Sequence, residues 1–267
     1  MHARNLPAFG AVARLAAAEA ARLAGELVAA GDAWPPDAVH RARVMCKRLR
    51  AVVHLGAGLV AKGKRTAWND RLSHAARMLA VARDGEVLSQ WILAVADDAP
   101  PPLQGPLGRM AHRLQWECGP GPTAAACAEM VAVLRTVARS WPRSWGKIGD
   151  DPAAGFHRSQ RRVQAIARGA RHTHDHAAWH RLRRWVKYLA YQHQWLDLAA
   201  GRKPGKRWCR LRRLGTTMGR MNDMHNLLAW LAAHRFRSRA AAFLRQRALD
   251  TLADCREAAA RAGEPIN

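Results

Sequence analysis

Carboxylates are scarce in this chain: 20 Asp and Glu stand against 44 Lys and Arg in 267 residues. No ExExK-like row, glycine-rich phosphate loop or GxSxG elbow occurs. So few acids cannot assemble a two-metal centre or a paired-carboxylate mechanism, so no catalytic residue and no turnover are expected. The cysteines Cys46, Cys118, Cys127, Cys209 and Cys255 are odd in number, scattered and free of any CxxC pair. That argues against a zinc ribbon or a disulfide framework and for reduced, mostly buried thiols in a cytoplasmic protein. Long apolar runs are missing as well. Charges interrupt each one well short of the roughly 20 residues that a span requires, so no membrane insertion is expected. Nor does an alternating β-branched run read as a strand. The N-terminal segment, with Arg4, Arg14 and Arg22 among alanines, faintly resembles a transit peptide. Glu19 and Glu26 at helical spacing instead make it an ordinary first helix.

What remains is alanine, leucine and arginine in segments of helical length. Breaks fall at 31–37 (GDAWPPD), 97–106 (DDAPPPLQGP), 119–123 (GPGPT), 141–152 and 201–205 (GRKPG). Roughly ten helices are expected, near 8–30, 37–60, 68–82, 84–97, 106–117, 123–140, 153–171, 175–200, 205–220 and 222–262, the last broken near His234. The fold class is all-α. The Pro-rich stretch 99–106 reads as a linker between an N-terminal half, 1–98, and a C-terminal half, 107–267.

Those halves look like copies. His40, Arg43 and Lys47 recur in spacing as His180, Arg183 and Lys187. Arg83-Asp84 in the first half answers to Asn222-Asp223 in the second. Asp84 follows its histidine by 44 residues and Asp223 by 43. The expectation is two related antiparallel bundles about a pseudo-twofold axis, with a basic cleft between them.

On a helix advancing about 100° per residue, His40, Arg43, Lys47, Arg50 and His54 share an arc of roughly 80°. Met45, Cys46, Leu49, Val52 and Val53 lie opposite. No acid occurs between residues 38 and 69, although like charges at this spacing repel by a few tenths of a kcal/mol per pair. The second copy repeats the pattern with His180, Arg183, Lys187 and Gln194, against Leu182, Trp185, Val186, Leu189 and Leu196. Ala190 stands where Arg50 did. Arg184, then Arg158, Arg161, Arg162, Arg168 and Arg171 on the preceding helix, and Lys206, Arg207, Arg210, Arg212 and Arg213 on the following one, could converge on the same surface. A formal charge of +24 disfavours a compact state unless a polyanion relieves it, and a guanidinium fork suits phosphate oxygens.

Two HxxRxxxK helices, each followed by an Asp-containing element, resemble the CHAD domain, a histidine-bearing α-helical family, over about residues 8–260. The resemblance implies a pair of related bundles around a basic surface that binds inorganic polyphosphate, and association with polyphosphate granules. It places His40, Arg43, Lys47 and Arg50, with His180, Arg183 and Lys187, on the family's motif, and Asp84 and Asp223 on its acidic elements. Both acids read as ion-pair or capping residues rather than catalysts. The alternative reading is a non-specific nucleic-acid binder held by phosphate contacts. The run His172-Thr173-His174-Asp175-His176, with His180 beyond it, could offer a metal site. Thr173 or Asp175 as a helix cap, among arginines, fits it better, and neither metal nor cofactor is expected.

Overall fold

The computed structural model describes residues 6–31, 33–119, 121–171, 173 and 175–263, with the backbone alone for 80–84, 171, 262 and 263. Ten α-helices and one short 3-10 turn account for nearly all of them, and no strand occurs among the described residues. The helices are α1 (Phe9–Ala29), α2 (Pro36–Leu55), α3 (Lys62–Met78), α4 (Ala80–Asp97) and α5 (Pro101–Glu117). They continue as α6 (Ala124–Ser144), α7 (Ala153–Arg171), α8 (His176–Ala199), α9 (Lys206–Ala233) and α10 (Arg239–Gly263), with the 3-10 turn at Trp145–Lys147. The all-α expectation holds.

Several boundaries follow from side-chain chemistry. Proline has no amide hydrogen to lose at a first helical position, and α2 opens on Pro36. Thr123 caps α6 by accepting from the Ala126 amide. Asp175 caps α8 by accepting from the Ala177 and Ala178 amides. Gly201 closes α8 at φ +68°, a left-handed conformation that costs glycine little.

Two segments differ from the expectation. The Pro-rich stretch 99–106 is not a linker along its length, because Pro101 begins α5. Pro101 and Pro102 sit in the first turn, where missing amide donors cost nothing. The expected break at 220–222 is also absent: α9 runs unbroken from Lys206 to Ala233. The break near His234 is real, and α10 starts five residues later.

One continuous apolar core runs from Phe9 in α1 to Ala259 in α10. Within it α2 and α8 pack on each other, and their crossing is pinned by polar groups. The Gln192 amide, fully buried, donates to the Ala51 carbonyl at 3.1 Å and to the Ser159 hydroxyl at 3.0 Å. The Trp195 indole donates to the Arg48 carbonyl at 3.1 Å. The bonds to Ala51 and Arg48 tie α8 to α2, and the bond to Ser159 ties it to α7, each satisfying a buried donor.

α7 closes the arrangement at Gly155. A Cβ there would stand 1.9 Å from the Leu55 carbonyl oxygen, so α7 reaches the C-terminal end of α2 only with glycine. Gly155→Ala should therefore lower stability by about 3 kcal/mol in chemical denaturation, since backbone rather than a pliable side chain must move. Gly25→Ala in α1, where a Cβ meets nothing within 4 Å, should raise stability by about 0.5–1 kcal/mol. Equal effects for the two substitutions would contradict this packing.

Candidate functional site

The amphipathic pattern of α2 is realised in the fold. Met45, Cys46, Leu49, Val52 and Val53 are buried, while His40 is exposed and Arg43, Lys47 and Arg50 are half-buried. On α8, Leu182, Val186 and Leu189 are buried, with His180 exposed and Arg183 and Lys187 half-buried. The two cationic stripes meet.

The meeting point is Lys187. Burial pushes its ammonium down to about 7, the neighbouring charges of Arg183, Lys47 and Arg43 push the same way, and Asp223 opposes them. A shift of this kind requires those charges to lie near one another, so cations from α2 and α8 and an acid from α9 share one space. The face of α9 presented here is small. A Cβ at Gly215 would be 3.3 Å from the Lys187 side chain, and one at Gly219 would be 3.7 Å from the Arg183 guanidinium. Two glycines one turn apart thus let both long side chains lie along α9. One turn further, the His180 ring shares a 2.8 Å hydrogen bond with the Asn222 side-chain oxygen. Arg43 donates to the Leu79 carbonyl at 3.2 Å, which ties it to the bend between α3 and α4.

A second group of cations adjoins the first along α2. The Arg50 guanidinium lies 5.4 Å from the Tyr188 ring centre, and its Nε donates to Asn69 at 3.0 Å. Burial lowers its pKa, and Arg184 and Arg77 push in the same direction. His54 stacks between Trp185 and Tyr188, with ring centres at 4.9 and 4.7 Å. Burial, reinforced by Arg50, Arg65 and Arg184, takes its imidazole to about 4. His54 is therefore neutral at pH 7 and contributes a ring, not a charge. The Arg162 guanidinium from α7 lies 6.0 Å from Trp185, and Arg158 lies close enough to Arg65 to lower its pKa, after burial.

Three further acids lie toward α1. Glu19, Glu26 and Asp37 pair with Arg22, Arg41 and Arg48, cations that lie off the α2 stripe. Arg48 also rests 4.3 Å from the Trp195 ring centre. Helix α2 thus carries two populations of arginine: one neutralised locally on its α1 side, the other gathered with the cations of α8.

A profile of the family described as CHAD domain matches residues 11–232. The chain belongs to the CHAD domain family. No curated protein matches it. The match ends within α9 and leaves α10, although the resemblance read from the motifs reached about residue 260.

The CHAD motif residues His40, Arg43, Lys47 and Arg50, with His180, Arg183 and Lys187, come from helices about 140 residues apart in sequence. The structure gathers Arg43, Lys47, Arg183 and Lys187, and beside them Arg50, His54, Arg184 and Arg162. It does not gather all the rest. Lys206 lines a separate cavity at the start of α9. Arg210 and Arg213 are exposed and lie roughly 180° and 120° around α9 from Gly219. Arg161 is exposed on α7, about 100° from Arg162. Asp223 acts on Lys187 as an ion-pair partner would, whereas the side chains of Arg83 and Asp84 lie outside the described residues.

The flanking helices also contribute Arg158 and Arg212, which the basic pattern of the sequence offers, together with Tyr191 and Arg65, which motif reading does not single out. Arg212 lies 5.3 Å from the Trp208 ring centre and, with Arg48 and Arg183, acts on the half-buried Tyr191. Tyr191 is one turn beyond Lys187, so helical spacing alone could have found it. Arg65 carries no such signal.

The metal reading is not supported by geometry among the described residues. His176 stacks on His225 with ring centres 4.2 Å apart and stands 6.2 Å from His180. No group of three or more His, Cys, Asp or Glu is placed to hold a cation among the described residues. His172 and His174 lie outside them. No helix is long and apolar enough to cross a membrane, again among the described residues.

Proposed function

We propose that this CHAD chain is a non-catalytic binding module for inorganic polyphosphate, which lies along the joined stripes of α2 and α8. The observation that carries this reading is the surroundings of Lys187, where the charges of Arg183, Lys47 and Arg43 converge beside that of Asp223. Proximity of that kind is electrostatically costly, and a string of phosphates would turn repulsion into attraction along its length. The Arg50 and Arg184 group next to it would extend the path.

The cations sit between helices rather than on a convex surface. That favours a thin, unbranched polymer bearing a charge at every unit over a duplex. Asp223 is held among cations, where it acts as an ion-pair partner of Lys187. Five free thiols fit a reducing, cytoplasmic setting, where the module could sit on polyphosphate granules.

Competition tests the reading. Long-chain polyphosphate and DNA, single- and double-stranded, are offered to the immobilised chain at equal phosphate concentration in moderate salt. Polyphosphate should displace DNA, and DNA should fail to displace polyphosphate. The reverse result would make the chain a nucleic-acid binder. Salt weakens both complexes, so salt sensitivity is not the readout. Phosphate release from polyphosphate by the purified chain would overturn the non-catalytic part.

A further inference from the structure

A single apolar side chain at the surface needs no explanation, but Trp116, near the end of α5, stands 83% exposed in charged company. On a helix advancing about 100° per residue, Arg109, Arg113 and Trp116 fall within an arc of roughly 60°, and all three are exposed. The segment between α9 and α10 abuts this face. Glu117 accepts from the Trp230 indole at 2.8 Å and from Arg113 at 2.8 Å, and its carboxylate lies 3.1 Å from His234. The Arg113 guanidinium lies 5.3 Å from the Phe236 ring centre.

The cations of this patch are open. Arg235, Arg237 and Arg239 are exposed, and among the described residues no carboxylate pairs with them or with Arg109. Glu117, the acid beside them, is already engaged by its donors. The neighbouring rings are engaged too: Trp230, His234 and Phe236 pack on one another with ring centres 5.0–5.6 Å apart. Trp116 is left to solvent. The patch is separate from the polyphosphate face. Trp230 lies about 16 Å further along α9 than Gly219, and Arg235, Arg237 and Arg239 fall beyond the residues that match the CHAD profile.

We propose that this patch docks the protein on an anionic lipid surface, with Trp116 at the level of the headgroups and Arg109, Arg235, Arg237 and Arg239 on lipid phosphates. An indole, apolar in body and polar at its N–H, is favoured at that interface, and arginines beside an anionic leaflet are drawn to it. One open ring flanked by cations suits a planar surface. A single-stranded nucleic acid is held instead on successive stacking platforms, and the rings next to Trp116 are packed on each other.

The experiment is cosedimentation of the full chain with vesicles of phosphatidylglycerol and phosphatidylcholine, and with phosphatidylcholine alone. Only the anionic vesicles should carry the protein down. Trp116→Ala should weaken that binding by about tenfold and leave polyphosphate retention unchanged. Arg235→Glu with Arg237→Glu should weaken it by about tenfold or more. Arg22→Glu with Arg41→Glu, an equal change in net charge, should weaken it by only a few fold. Lipids brominated near the top of the acyl chain should quench tryptophan fluorescence, and Trp116→Ala should lose that quenching. Equal losses in the two arginine pairs, or unaltered binding or quenching in Trp116→Ala, would each overturn the proposal. So would a matching loss of oligo(dT) binding in Trp116→Ala, which would make the ring a platform for bases.

Discussion

Reversing Arg43, Lys47 and Arg50 together to Glu should abolish retention of long-chain polyphosphate while leaving the far-UV circular dichroism of the chain intact. A hydrogen bond to a charged group contributes about 1.5–3 kcal/mol, and each 1.4 kcal/mol is tenfold in affinity. Loss of even one such contact per residue, before counting repulsion from the new carboxylates, exceeds about a hundredfold. The fold should survive because the three side chains leave α2 away from Met45, Cys46 and Leu49, which are buried. The bonds from Arg43 to Leu79 and from Arg50 to Asn69 are partly exposed and give way at modest cost. The control is Arg22→Glu with Arg41→Glu. These cations already face Glu19, Glu26 and Asp37, and should affect polyphosphate by only a few fold through net charge. Unchanged retention in the folded triple variant would remove the site named here.

The second large effect is on pH. Lys187 sits at about 7, against the ordinary 10.5 of a lysine. Above pH 7 the unliganded protein holds this amine neutral, and a bound phosphate chain favours its charged form. Binding therefore takes up as much as one proton, and affinity falls as pH rises, by up to about tenfold per unit. Between about pH 7 and pH 9 the wild-type chain should lose about tenfold or more. Lys187→Arg, which stays charged throughout, should hold a flatter profile. Calorimetry in two buffers of different ionisation enthalpy reads the proton directly. A flat wild-type profile, or an equal slope in Lys187→Arg, would show that Lys187 does not face the ligand.

The same depressed pKa sets the sign for stability. The unfolded chain, with its lysine near 10.5, binds more protons than the folded one between about pH 7 and 10.5. Stability without ligand therefore increases over that window as pH rises, and the full penalty is present below pH 7. Saturating polyphosphate should flatten this dependence by restoring the charge that the fold disfavours.

Much of this architecture is legible in the residues. Helical spacing alone separates the buried from the cationic side of α2, and duplication of the HxxRxxxK pattern points to α8 as its counterpart. The misread elements share a cause: a local signal overridden by its tertiary setting. Asn222 and Asp223 look like chain breakers because their side chains compete for backbone groups. In α9 their side chains are engaged elsewhere, Asn222 by His180 and Asp223 by the charge of Lys187, and the helix continues. Prolines at 101 and 102 look like a linker, yet at the first turn of a helix they are compatible with it.

The site was legible in its cations but not in their company. Trp185 has core spacing, yet it stands half-buried against His54 and Arg162, because the crossing with α2 leaves that flank open. Gln192 has no motif to announce it, although its hydrogen bond to Ala51 holds that crossing. Gly215 and Gly219 read as weak points in a helix. Their value appears only beside Lys187 and Arg183, which lie where side chains on α9 would otherwise stand.

Because the crossing of α2 and α8 unites segments distant along the polypeptide, a nascent chain that has emerged only as far as α6 carries half the cationic lining and none of its counterpart. Capture of a polyanion is thereby deferred until the last third of the chain has docked, and a growing chain with exposed arginines is spared premature entanglement with cellular phosphates. On the proposed reading a bound polymer would bridge both segments, so that dissociation and global unfolding would be linked events rather than separate ones.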